Sequence, residues 1–158
     1  MEEKVYNNME HQIILAQLPY TAPFLFVDGL TAIDTNGVSG FYTFKKEADF
    51  YKGHFKNNPI TPGVLLTECC AQIGLVCLGI HLITSSDTLR DNALQIALTS
   101  SEMEYYLPVY PDEKVSVTSE KIYFRFHKLK CHVKMHNAAG KLVCKGTIAG
   151  MLKNKSNE

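Results

Sequence analysis

The sequence has no surplus of either charge: 16 Lys and Arg face 16 Asp and Glu, a formal net charge of zero in 158 residues. A nucleic-acid binder ordinarily carries a clear basic excess, so no whole-molecule case for one exists here. Cysteine is short on pattern as well as on number. The five are an odd count, none stands at metal-ligand spacing, and Cys69, Cys70 and Cys77 share one apolar run. That disfavours a disulfide framework and leads us to expect reduced, buried thiols. The opening MEEKVYNNMEHQ has no apolar core of signal-peptide type, which points to the cytoplasm. Internal repeats and low-complexity stretches are missing too. Only the ends, 1–8 and 153–158, are expected to fray.

What is present fits a single domain. The chain is 46% apolar and 20% charged, a globular composition of a size that buries a core without staples. The neutral total hides a split. From Lys114 onward ten Lys and Arg meet two Glu, whereas the first 113 residues carry six against fourteen.

The pattern along the chain predicts a short helix over Met9 to Leu18, closed by Pro19, and a strand over Phe24 to Ile33. Asn36-Gly37 then predicts a hairpin into a strand over Gly37 to Phe44. From Ile60 to Ile83 runs the longest apolar stretch, with Pro62-Gly63 suited to a helix start. Its length matches a bilayer, but Thr67, Glu68, Gln72 and His81 fit a buried core helix better than a membrane span. Strand-like segments follow: 94–100, 102–109, 114–124, 125–136 and 141–152. Within the fourth, Leu129, Cys131, Val133 and Met135 alternate with Lys128, Lys130, His132, Lys134 and His136, the period of a half-buried strand. Short turns between successive strands imply antiparallel pairing. The expected architecture is α+β, an antiparallel sheet wrapped around one long apolar helix.

Two side chains in this frame suit acid–base chemistry. His54 precedes the core helix, and Glu68 falls in its second turn. Desolvation there would hold the carboxyl protonated, while imidazole is the natural base near neutral pH. Such a pair can eliminate water, one group taking a proton from carbon and the other giving one to the departing hydroxyl. Amides at the helix start, with no side chain at Gly63, could stabilise an oxyanion. The bland alternatives are a surface histidine and a helix-start glycine; a buried carboxylate without a role is harder to accommodate. Cys69 and Cys70 read as core thiols rather than nucleophiles. His132 and His136, four residues apart on a strand, stand about 13 Å apart, too far to share a metal.

All six prolines fall in three pairs, Pro19/Pro23, Pro59/Pro62 and Pro108/Pro111, and each pair lies in a segment of recognisable form. GHFKNNPITPGVLLTECCAQ resembles the signature of the 3-hydroxyacyl-acyl-carrier-protein dehydratases, Gly-His-Phe-Pro-Gly-x-Pro-x-x-Pro-Gly-Val-Leu-x-x-Glu-x-x-Ala-Gln. Upstream LPYTAPFLFVD and downstream LPVYPDEKV are similar to the family's Leu-Pro-x-x-x-Pro-Phe-Leu-x-Val-Asp and Arg-Pro-Val-x-Pro-Gly-Asp-x-Leu. The resemblance covers nearly the whole chain and implies the hot-dog fold. It further implies that His54 removes the α-proton of a 3-hydroxyacyl thioester and that Glu68 protonates the leaving hydroxyl. The Gly63 amide would hold the thioester oxygen, with Phe55, Val64 and Gln72 beside the substrate. No metal or organic cofactor is implied. In the family the His and Glu of one site come from different subunits, so a homodimer or an assembly of dimers is expected, with an acyl-carrier protein as partner. Glu rather than Asp at 68 is more like the plain dehydratases than the branch that also isomerises the double bond.

The departures lie in loops. Lys56, Asn57 and Asn58 replace the family's Pro-Gly and the residue after it, Tyr20-Thr21 replace His-Arg, and Asp112 stands where Gly is common. They leave room for a specialised fatty-acid, polyketide or polyene pathway. Lys52 and Lys56, flanking His54, are the candidate carrier-docking cations. The competing readings are a hot-dog acyl thioesterase and a non-catalytic carrier-binding subunit of a heteromeric dehydratase.

Overall fold

The computed structural model describes residues 2–84 and 94–154. A helix α1 (Glu2–Ala16) leads to strands β1 (Gly29–Ile33) and β2 (Gly37–Thr43). After a single 3-10 turn (Asp49–Lys52) comes one continuous helix in three parts: α2 (Gly63–Ala71), a π-helical stretch (Gln72–Cys77) and α3 (Leu78–Thr84). Strands β3 (Leu94–Tyr105), β4 (Lys114–Arg125), β5 (Lys128–Asn137) and β6 (Leu142–Asn154) complete the chain. All six strands form one antiparallel sheet in the order β1-β2-β4-β5-β6-β3.

The sheet curls around the helix because both surfaces are apolar. Ile73, Leu75, Leu78 and Ile80 meet the inward row of β4, β5 and β6, formed by Val115, Val117, Leu129, Cys131, Val133, Met135 and Ile148. Each such large side chain stabilises the fold by about 1.5–3 kcal/mol when fully buried. The expected alternation in β5 is observed, with its four apolar residues buried. The helix Gly63–Thr84 is long and apolar enough to cross a bilayer, but most of it is buried within the protein. Gly74 allows a close approach: a Cβ there would stand 2.9 Å from Val133 Cγ1. Ser119 Oγ donates to the Gly74 carbonyl at 2.8 Å, a bond to the sheet in the middle of the π-helical stretch.

Some expected boundaries move. α1 begins at Glu2 rather than Met9 and ends at Ala16. α1 takes in residues 2–8 and β6 runs as far as Asn154; Met1 and 155–158 lie outside the described residues. The strand expected from Phe24 starts only at Gly29. Upstream of it Gln72 Oε1 accepts from the Phe26 amide at 2.8 Å, and Asp28 ties the segment to β2, its amide donating to the Phe41 carbonyl at 2.9 Å and its Oδ2 accepting from the Thr43 amide at 2.8 Å. The β1–β2 turn is likewise organised by a side chain, Asp34 Oδ1 accepting from the Asn36 and Gly37 amides. The two segments expected at 94–100 and 102–109 are one strand, β3, with a register shift between Leu98 and Ser100. β3 also closes one edge of the sheet, twelve residues long with one side unpaired.

Candidate active site

The loop carrying His54 is closed on itself. The amides of Phe55 and Asn58 bond each other's carbonyls at 2.9 and 3.0 Å, and the Ile60 amide donates to the His54 carbonyl at 2.9 Å. The His54–Phe55 peptide is cis. Within this loop His54 Nδ1 lies 2.7 Å from the Ile60 carbonyl oxygen. A carbonyl only accepts, so Nδ1 carries the proton and the lone pair of the neutral ring resides on Nε2. The Phe55 ring stacks on the imidazole, centroids 4.1 Å apart and planes 26° apart, and is itself 54% exposed.

The loop then hands over to α2. Pro62 is the N-cap residue and Gly63 the first helical one, so the Gly63 and Val64 amides have no intrahelical acceptor and carry the positive end of the helix. Val64 is 75% exposed. Over the same turn lies Tyr105, at the end of β3. A Cβ on Gly63 would be 3.4 Å from its ring, and its hydroxyl bonds Thr67 Oγ1. Thr61, just before the helix, is buried with its hydroxyl 2.6 Å from that of Tyr51.

Glu68 is half-buried one turn further on. Burial pushes its carboxyl above the ordinary range, partly offset by a hydrogen bond from Gln72. Gln72 is fully buried and its amide is committed. Its Nε2 donates to Glu68 Oε1 at 3.0 Å and to the Phe24 carbonyl at 3.1 Å, while its Oε1 accepts from Phe26. Gln72 thus fastens the helix to the 24–26 segment and orients the carboxyl. Tyr20 belongs to this neighbourhood as well: burial, then the Glu68 charge, raises its phenol to about 12.

Within one chain the structure does not join the two candidate catalytic groups. The hydrogen bonds of His54 go to its own loop and those of Glu68 to Gln72. Lys52 and Lys56 are both exposed beside His54, and Lys52 Nζ pairs with Asp49 at 3.1 Å, an exposed contact of small energetic value. Cys69 and Cys70 are buried, and burial drives the Cys69 thiol upward; both are core thiols.

Residues 18–150 match the FabA-like domain family. The chain belongs to that family. Among curated FabA-like relatives, the 3-hydroxyacyl-[acyl-carrier-protein] dehydratase FabZ of Nitratidesulfovibrio vulgaris (strain Miyazaki F) is 30% identical with 99% of both chains aligned. The enzyme of the same name from Sinorhizobium fredii is 32% identical over 97% of this chain and 96% of its own. Among solved structures, the dehydratase heterocomplex ApeI:P from Xenorhabdus doucetiae superposes with a TM-score of 0.75 at 13% identity, covering 90% of this chain and 92% of that one. A hypothetical thioesterase with coenzyme A from Streptococcus pneumoniae gives 0.57 at 15%, covering 79% and 84%. The fold is the hot-dog fold.

Two departures from the FabA-like pattern now have a backbone reason. Asn57 and Asp112 stand where the family's glycines are common, and both have left-handed φ, 58° and 67°. Asn and Asp tolerate that region better than other residues with side chains. The loop geometry therefore survives both replacements. The contributions of Gln72 and Tyr105 could not be read from spacing. The first depends on a segment 46 residues away, and the second on how the sheet edge curls over the helix start.

Proposed function

We propose that this chain is a hydro-lyase that converts 3-hydroxyacyl-acyl-carrier-protein to the trans-2-enoyl thioester, with His54 as base and Glu68 as acid. The observation that carries the assignment of roles is the His54 Nδ1–Ile60 bond. It leaves Nε2 free to accept the α-proton as the C–H electron pair becomes the new double bond. The C–O bond to the hydroxyl breaks, and Glu68, whose burial favours the protonated carboxyl, supplies the proton that makes the leaving group water. Negative charge passing onto the thioester oxygen is met by the Gly63 and Val64 amides. The imidazolium and carboxylate left behind are neutralised by proton exchange with water. Phe55 and Val64, both exposed, flank the approach of the carrier's acyl arm, and Lys52 and Lys56 meet its acidic surface.

The working unit in this proposal is a homodimer or an assembly of dimers in the cytoplasm. In one chain His54 and Glu68 share no contact, and the long unpaired edge of β3 is a template for a second copy. The deciding experiment supplies purified protein with 3-hydroxyacyl-carrier protein and follows enoyl thioester and free carrier thiol together. Enoyl formation without thiol release supports dehydration. Thiol release without enoyl formation would make the protein a thioesterase, and activity only with a homologous partner would make it a non-catalytic subunit.

A further inference from the structure

The end of the sheet remote from His54 is built in a way that neither the core nor the chemistry uses. Arg125 pairs with Lys128, so β4 and β5 are joined by just Phe126 and His127, whose φ values are 50° and 60°. Two consecutive left-handed residues make the hairpin turn that sequences normally fill with Asn-Gly or Asp-Gly. A phenylalanine there is conformationally unfavourable. No packing compensates, since Phe126 is 89% exposed, more than any other large apolar side chain among the described residues. The turn is nevertheless held in place: the Leu152 amide donates to the His127 carbonyl at 2.8 Å. A strained but anchored apex thus holds an aromatic ring out in water.

Cations line the strands behind it. Lys121 and Arg125 on β4, Lys128 and Lys130 on β5 and Lys153 near the end of β6 all belong to this end of the sheet. The Arg125 guanidinium is braced 4.5 Å from the Tyr123 ring. Among the described residues two carboxylates share the region: Glu120, and Asp34, which already accepts from two amides of the β1–β2 turn. The register shift between Lys121 and Tyr123 leaves Ile122 as the extra residue of β4, 42% exposed.

We infer that this apex is an interfacial anchor that places Phe126 among the headgroups of an anionic lipid surface. An exposed aromatic at a sheet end lined with cations has the two attractions such a surface offers, apolar insertion and charge. The apex is convex, so a rigid protein partner would have to bring its own pocket for the ring, whereas a headgroup layer closes around it. Along β5 the distance from Lys128 to Met135, which is level with Tyr105 across β6, is roughly 23 Å. Docking at the apex therefore leaves the His54 end open to soluble carrier. One ring and a few cations give reversible, salt-sensitive association rather than permanent attachment. The inference does not depend on the dehydration chemistry.

The chain contains no tryptophan, so Phe126→Trp places a single fluorophore at the apex of the full-length protein. It is titrated with phosphatidylglycerol vesicles, with phosphatidylcholine vesicles and with an acidic acyl-carrier protein. We expect a blue shift on phosphatidylglycerol that high salt reverses, and none on phosphatidylcholine. In sedimentation with the same anionic vesicles, Phe126→Ser should bind roughly tenfold more weakly than wild type, its fold being checked by circular dichroism. An unshifted spectrum on anionic vesicles, or equal sedimentation of wild type and Phe126→Ser, overturns the inference. So does a shift with the carrier protein alone, which would make the apex a protein-docking point.

Discussion

Replacing Gln72 with Leu separates what holds the site together from what reacts. The substitution nearly conserves volume, so little cavity is created, but three hydrogen bonds go. Phe26 is 3% exposed, so its amide would be stranded without water, at about 1–3 kcal/mol. Phe24 is 48% exposed and its carbonyl can turn to solvent, a loss of about 1 kcal/mol. The bond to half-buried Glu68 adds a similar or smaller amount, and the apolar surface of Leu offsets about 1 kcal/mol. The net expectation is about 1–4 kcal/mol of destabilisation, or a fall in Tm of roughly 3–15 °C for a domain of this size. Gln72 is also the group that lowers the Glu68 pKa against burial. Without it the carboxyl holds its proton to higher pH, so the alkaline limb of kcat against pH, where the acid is lost, should move upward. At the same time kcat falls because the carboxyl is no longer oriented. Thermal melting and a pH–rate profile on the same preparation read both effects. A Tm within about 2 °C of wild type together with an unmoved alkaline limb would refute the reasoning.

Glu68→Gln should gain thermal stability over wild type as pH rises past the ordinary carboxylate range. A carboxyl with a raised folded-state pKa stabilises the fold below its unfolded pKa and loses that contribution as pH climbs through the folded value. Melting both from pH 4 to pH 8 checks it, and a difference in Tm that moves in favour of wild type as pH rises would contradict the sign. Gly63→Ala puts a methyl 3.4 Å from the Tyr105 ring in the space beside the helix-start amides. It should change stability by less than about 1 kcal/mol yet lower kcat by roughly 10–1000-fold, and a wild-type kcat would remove Gly63 from the mechanism. The double replacement Phe126→Asn/His127→Gly relieves two left-handed residues. By urea titration it should stabilise the protein by about 1–3 kcal/mol, while a neutral or destabilising result would mean the turn is not strained.

Where local pattern and burial coincide, the architecture was legible. The alternation of β5 and the apolar helix announced themselves because each presents one or all faces to the core. The two halves of β3 read as separate strands because the extra residue at Thr99 breaks their common period. Phe24 to Asp28 reads as strand by composition, yet its Phe26 amide and Phe24 carbonyl are claimed by the Gln72 side chain, and pairing with β2 begins at the Asp28 amide, which donates to the Phe41 carbonyl. His54, Gly63 and Glu68 stood out by chemistry and spacing. The residues that set them in place did not: Gln72 acts through a distant segment, and Tyr105 arrives over the helix start only through the closure of the sheet. Polar residues whose partners are remote in sequence carry no periodic signal.

The most direct test of the central claim, that His54 and Glu68 together remove water at a site shared between two subunits, is enoyl formation by mixed dimers. His54→Ala and Glu68→Gln are assayed alone on 3-hydroxyacyl-carrier protein, then co-assembled in equal amounts. Each variant alone should be inactive. In the mixture half the dimers are hybrids with one intact site, restoring about a quarter of the wild-type rate. Full activity in His54→Ala would contradict the role of the pair, and two inactive variants that stay inactive as verified hybrids would contradict the shared site.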